Sequence, residues 1–156
     1  MSSTTLCPSL PSAALGDSLS DLRVRTGWRR GPASETAGSI LLSYTEFTPD
    51  TLRDVPRIYR AAERLRREIA ELDGAVGVTI YWQLFRSRGG SLSAWEDEAA
   101  LRRFVALPFH RETMRFYRPR GSLRAIDWPA DSFDLGAALR HGQRSLDEGR
   151  GRVRRG

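Results

Sequence analysis

The chain has 156 residues, 40% of them hydrophobic and 28% charged, which suits one domain. Its single cysteine, Cys7, excludes an internal disulfide framework and any CxxC zinc or redox site, and no run of 18 apolar residues marks a membrane span. The net charge of +6 sits mostly at the C-terminal end, where residues 139–156 hold six of the arginines against Asp147 and Glu148, so the body is close to neutral and no specific nucleic-acid partner is expected.

All 25 basic residues are arginine, and lysine and asparagine are absent, a pattern that fits a GC-rich coding sequence. The first 20 residues lack a basic stretch followed by an apolar one, so no secretory signal is read there and a cytoplasmic location is expected.

Residues 1–38 are rich in Ser, Pro, Gly and Ala without a sustained period, and read as a disordered or weakly ordered arm with a short ordered piece around 22–28. Residues 39–47, SILLSYTEF, alternate as a strand does. Asp54 and Pro56 are helix-start signals. Val55, Ile58, Ala62, Leu65, Ile69 and Leu72 then recur at helical spacing, with Arg and Glu on the other side, up to a C-cap at Asp73-Gly74.

Residues 75–86, AVGVTIYWQLFR, are β-branched and aromatic and predict a second strand. Ser87-Arg88-Gly89-Gly90 reads as a hairpin loop and 91–95 as a third strand. Glu96, Asp97 and Glu98 place acids at the start of a second helix, whose buried stripe is Leu101, Phe104 and Val105. Pro108 breaks that helix, and a further helical piece is expected from about 108 to 118. Residues 122–128 form the last predicted strand, and 138–156 a short helix running into a disordered basic tail.

The order βαββαβ is the ferredoxin-like, α+β arrangement over residues 39–137. Four strands with helices on one face leave the other face bare. Tyr44, Trp82, Leu84, Leu92 and Trp95 are too many large apolar groups for one covered face. A homodimer pairing sheet to sheet through that open face is the expected solution.

No GxGxxG, P-loop, HExxH or EF-hand loop is present. The predicted third strand, Gly90-Ser91-Leu92-Ser93-Ala94-Trp95, lacks the aromatic pair with which an RNA-recognition motif stacks bases. With only His110 and His141 a histidine-rich metal site is excluded, no flavin site is visible, and no cofactor is expected.

His110, Met114 and Tyr117 fall at i, i+4 and i+7 and share one helix face; Phe109, Thr113 and Phe116 form the adjacent one. If the first face packs on the sheet, a neutral His110 there can take a proton from a phenolic substrate. The competing reading ties its ring to a backbone carbonyl near Pro108, as a cap. Tyr44 and Tyr81 are each able to donate a phenol hydrogen bond, and alternation puts Tyr81 and Trp82 on opposite faces. Arg86 and Arg88 flank the predicted hairpin and can take a carboxylate.

The run Leu92-Ser93-x-Trp95-Glu96-Asp97, followed by Ala100-Leu101-x-x-Phe104 and His110, resembles the antibiotic-biosynthesis-monooxygenase-like superfamily of dimeric α/β barrels. The similarity spans roughly residues 38–128, and a subgroup also ends its last strand in Trp, here Trp128. The resemblance implies a monooxygenase-like protein holding a small aromatic or apolar molecule in a sheet–helix pocket. His110 would be base or polar anchor, with Trp95, Trp82, Tyr44, Phe104, Met114 and Tyr117 lining the pocket. The asparagine that several such oxygenases use is missing here. A non-catalytic ligand-binding or structural dimer is the alternative. A haem-binding or haem-degrading protein is a further one: that branch places an axial His ten residues after an aromatic of the second helix. From Phe104 that position is Met114, and His110 stands four residues earlier.

Overall fold

The computed structural model describes residues 23–155. Seven strands form one sheet: β1 (Arg23–Arg25), β2 (Arg29–Arg30), β3 (Ile40–Pro49), β4 (Ala75–Gln83), β5 (Arg88–Trp95), β6 (Gly121–Ala130) and β7 (Arg152–Arg155). Their order is β1-β4-β5-β3-β6-β7, with β2 also on β4, and every neighbouring pair is antiparallel. Four helices accompany them: α1 (Val55–Ile69), α2 (Glu98–Ala106), α3 (Pro108–Tyr117) and α4 (Leu135–Asp147). The segment β3-α1-β4-β5-α2-α3-β6 is the expected ferredoxin-like α+β core. Among the described residues no helix is long and apolar enough to cross a membrane.

Strand alternation sorts the two faces of the sheet. On β3, Leu41, Ser43, Thr45 and Phe47 point one way, and Ile40, Leu42, Tyr44 and Glu46 the other. Leu41 packs with the first face's cluster of Ile69, Ala75, Val78, Trp95, Leu101 and Phe104, under α1 and α2. Leu42 and Tyr44 pack with Leu92, Ala94, Ala138, Leu139 and Leu146, under α4.

Local signals explain the helix ends. Asp97 caps α2 by accepting from the Ala100 N–H at 2.7 Å. Leu107, the residue before Pro108, is extended (φ −56°, ψ 137°), so α2 stops and α3 restarts on the proline. Asp54 precedes α1 but makes no side-chain cap bond; Thr51 instead caps the 3-10 turn Leu52–Asp54 just before it. Val105 is 47% exposed, and Ala100 takes its place in the buried stripe with Leu101 and Phe104.

Three regions depart from expectation. In the N-terminal arm an ordered piece was expected only around 22–28; Arg23–Arg25 within it pairs with β4, and so does Arg29–Arg30 beyond it, the two together covering the free edge of β4. Strands of two or three residues are too short to show a period. The earlier part of the predicted arm lies outside the described residues.

Gly89 and Gly90 were expected in a hairpin loop, but they lie within β5, and the turn is formed by the 3-10 segment Leu84–Arg86 with Ser87 in the left-handed region (φ 47°). Gly89 makes room for the Trp82 ring, and Gly90 on the opposite face makes room first for the Thr45 carbonyl and then for Tyr81. A Cβ on Gly89 would lie 2.1 Å from Trp82 Cε3, and one on Gly90 2.9 Å from the Tyr81 hydroxyl.

The third departure is the covered face. The short helix expected within 138–156 is a helix of residues 135–147 that packs on the sheet instead of running into a tail, capped by Asp134, which accepts from the Ala137 N–H at 2.6 Å. Ala138, Leu139, Gly142 and Leu146 are buried beneath it. Gly142 allows the close approach, since a Cβ there would meet Tyr44 Cγ at 2.4 Å. The strand Arg152–Arg155 then returns to pair with β6. The face expected to be open for a second copy is therefore occupied by this chain's own helix, and sheet-to-sheet dimerisation through it loses its premise.

Candidate functional site

On the opposite face, a cavity of about 970 Å³ separates the sheet from α1, α2 and α3. Its floor carries the hydroxyls of Ser43 and Thr45 on β3 and of Ser91 and Ser93 on β5, with Val78, Ile80 and Trp82 of β4 beside them. Ser43 pairs with Ser93 across the strands and Thr45 with Ser91, so the four hydroxyls form one patch. The Thr45 and Ser91 hydroxyls are 2.9 Å apart, and Ser93 Oγ accepts from Trp95 Nε1 at 2.9 Å. That bond leaves the Ser93 proton free to donate.

The roof is apolar: Ile58, Ala62 and Leu65 from α1, Leu101 and Phe104 from α2, Met114 and Tyr117 from α3. Both α1 and α3 are amphipathic, yet only Ile69 of α1 and no residue of α3 is fully buried. Their apolar sides front open space rather than a filled core. A mostly apolar lining with a few placed polar groups is the usual make-up of a small-molecule site.

His110 reaches the cavity from the first turn of α3. Its Nδ1 lies 3.1 Å from the Val105 carbonyl oxygen, and its ring meets Phe104 edge-on with centroids 4.6 Å apart. Burial pushes the imidazole below its ordinary pKa. The Arg118 charge acts in the same direction and the Val105 carbonyl opposes them. The ring is thus neutral at pH 7. With Nδ1–H donated to Val105, the lone pair sits on Nε2. Tyr117 packs edge-on against Phe47 at 6.1 Å, and burial raises its phenol above the usual value.

Of the residues singled out from sequence, His110, Trp82, Phe104, Met114 and Tyr117 surround this one cavity. Trp95 and Tyr44 do not. Trp95 is fully buried beneath it, stacked on Phe104 at 5.3 Å, and acts on the cavity only through Ser93. Tyr44 points to the α4 face, where it stacks on Tyr81 at 5.2 Å and donates to Gln143 Oε1 at 3.1 Å. Burial pushes its phenol up to about 12. Alternation fixes that Tyr44 opposes Thr45, but not which of the two looks at the helices that enclose the cavity.

Arg86 and Arg88 are also drawn to the α4 face. Arg88 donates to Gln83 Oε1 at 2.6 Å and Glu46 at 3.1 Å; Arg86 lies 3.8 Å from Asp147. Glu46 is fully buried between Arg88 and Arg124. Sequence reasoning missed the hydroxyl floor. Its signal was the Ser-x-Thr of β3 facing the Ser-x-Ser of β5, which acquires meaning only with the register.

No protein-family profile matches the chain, and neither does any curated protein. Solved structures do. SnoaB, a cofactor-independent oxygenase from Streptomyces nogalater, superposes with a TM-score of 0.51 at 17% identity, over 64% of this chain and 98% of that one. An antibiotic biosynthesis monooxygenase gives 0.51 at 9% identity, over 60% and 99%. A conserved protein from Methanosarcina mazei Go1 gives 0.50 at 13% identity, over 62% and 94%. The chain shares its fold with SnoaB and with that antibiotic biosynthesis monooxygenase, the fold that the run from Leu92 to His110 led one to expect. At these identities the likeness is one of fold.

Proposed function

We propose that this chain binds a small aromatic molecule between its sheet and α1–α3 and oxidises it directly with dioxygen, His110 serving as the base. The observation that carries this reading is the neutral His110 on the wall of an apolar cavity, its Nδ1 fixed by the Val105 carbonyl and its Nε2 left to accept a proton. Trp82, Leu101 and Met114 supply apolar surface for a ring, and the floor hydroxyls supply donors for its oxygens.

A phenol suits this geometry. His110 Nε2 takes the phenolic proton, and the electron-rich phenolate ring gives electrons to dioxygen at the para carbon. One oxygen atom enters the ring as a carbonyl and the other leaves as water. Phenol plus dioxygen gives quinone plus water, so all four electrons come from the substrate and no external reductant is needed. The ring hydrogen replaced at carbon and the proton held by His110 both leave in that water.

The test is oxygen uptake by the purified chain across a panel of phenols and hydroquinones. His110→Gln keeps a donor for Val105 and removes the base. Uptake by the native chain that is lost in His110→Gln, with ligand binding retained, supports the proposal. Binding without uptake replaces it with a non-catalytic ligand-binding protein, the reading favoured by His110's bond to Val105 at the α2–α3 break. A saturable hemin complex lost in His110→Ala replaces it with a haem protein.

A further inference from the structure

Six arginines line the cavity: Arg66, Arg102, Arg111, Arg115, Arg118 and Arg152. Three are neutralised by an acid. Arg66 donates to both carboxylate oxygens of Glu63 at 2.6–3.1 Å, Arg102 to Glu98 at 3.1 Å, and Arg152 to Asp127. Among the described residues, Arg111, Arg115 and Arg118 have no ion pair within 4.0 Å.

These three stand at i, i+4 and i+7 of α3 and its C-cap, so they form one stripe. It flanks the inner face of His110, Met114 and Tyr117. The opposite flank holds Phe109 and Phe116, against which Arg64 and Arg57 of α1 are stacked, at 3.9 and 5.3 Å. The unpaired cations therefore lie on the side of α3 turned away from α1.

Two ordinary explanations fall short. A helix C-terminus stabilises cations, which accounts for Arg115 and Arg118, but Arg111 is in the first turn, where the dipole opposes it. An arginine-only composition supplies cations everywhere, yet the other three cavity-lining arginines each have a carboxylate. Three like charges along one stripe repel one another. The charge of Arg118 also reaches His110, inside the cavity.

We infer that the cavity takes an amphipathic organic acid, its apolar body on Trp82, Leu101 and Met114 and its carboxylate on the Arg111–Arg115–Arg118 stripe. Guanidinium groups pair with a carboxylate through two parallel hydrogen bonds, and the stripe is exposed, so the attraction is one that salt screens. The inference rests on the cavity being the ligand site, as proposed above, and adds that the ligand is an anion.

The test uses 1-pyrenebutyric acid and its uncharged counterpart 1-pyrenebutanol, which share an apolar body and differ in the carboxylate. Each is titrated into the full chain by fluorescence at about 20 mM and about 300 mM salt, where screening lengths differ several-fold. The acid is expected to bind about tenfold tighter than the alcohol at low salt, with the advantage shrinking at high salt. In the triple variant R111Q/R115Q/R118Q the acid's advantage falls to about twofold or less while the alcohol binds as before, which also reports an intact fold. Equal binding of the two probes, or an advantage that survives the triple variant, overturns the acid assignment and leaves the cavity as a ligand site. Failure of both probes to bind overturns the inference together with the reading it rests on.

Discussion

Replacing Gly142 with alanine tests the seam between α4 and the sheet. Alanine favours an exposed helix interior over glycine by about 1 kcal/mol. Here the new Cβ would sit 2.4 Å from Tyr44 Cγ, 2.6 Å from Cδ2 and 2.8 Å from Cβ, about 1 Å inside ordinary contact. Tyr44 cannot yield. It is fully buried, stacked on Tyr81, and its hydroxyl holds Gln143, which in turn accepts from Gln83 Nε2 at 3.0 Å. The helix must lift instead, straining those bonds. Overpacking costs about 1–3 kcal/mol and a weakened buried hydrogen bond about 1 kcal/mol more. Against the propensity gain, the net loss is about 1–3 kcal/mol, or roughly 3–9 °C in Tm for a chain of this size. The control is Gly136→Ala in the first turn of the same helix, where the Cβ meets the far end of Arg140 at 3.3 Å and Asp134 Oδ1 in ordinary contact at 3.5 Å. That variant is expected to be neutral or stabilised by up to about 1 kcal/mol. Urea unfolding of both variants beside the native chain gives the two signs. If Gly142→Ala gains as much stability as Gly136→Ala, α4 does not rest on Tyr44.

The remaining expectations concern charge and the cavity. Glu46→Gln takes the nearer carboxylate from Arg88, itself 13% exposed, leaves it only the looser contact with Asp147 at 3.8 Å, and should cost about 3 kcal/mol in urea unfolding; a loss under about 1 kcal/mol would mean that the pair is solvated. Trp95→Phe removes the donor to Ser93 and should lower stability by about 1–2 kcal/mol while leaving the cavity open to 1-pyrenebutanol; abolished binding would place Trp95 in the ligand's path. Because the folded-state pKa of His110 is lowered, the folded chain binds fewer protons than the unfolded one below pH 6.5. Stability should fall with pH from about 6.5 down through the folded value, a slope that His110→Phe removes. The same neutral base should keep any oxygen uptake active at lower pH than an ordinary histidine would. An acid limb at or above pH 6.5 would detach the activity from His110.

Much of the architecture is legible in the chain because its signals are local. Apolar spacing marks α1, Asp97 starts α2, Pro108 divides it from α3, and alternation marks β3. What escaped depends on partners distant in sequence. Gly142 and Gln143 weaken α4 as a helical pattern, and make sense only once Tyr44 and Gln83 lie beneath them. Gly89 and Gly90 carry turn chemistry, yet serve the approach of Trp82 and Tyr81. For the site, helical periodicity put His110, Met114 and Tyr117 on one helix face, and all three line the cavity. Period-2 patterns separated Tyr44 from Thr45 without saying which faced the cavity, so a tyrosine that serves packing was read as lining and four hydroxyls were passed over.

The seat of α4 also sets an order of events during synthesis. Every strand that contributes Leu42, Tyr44, Leu92 and Ala94 to the α4 face leaves the ribosome before residue 135 does. Until α4 emerges, the nascent sheet shows water a continuous apolar surface, the condition under which partly made chains associate with one another. Slow translation between β6 and α4 would prolong that exposure, whereas rapid docking of α4 would end it. Synthesis halted before residue 135 should therefore give a chain that aggregates even though its βαββαβ core is complete.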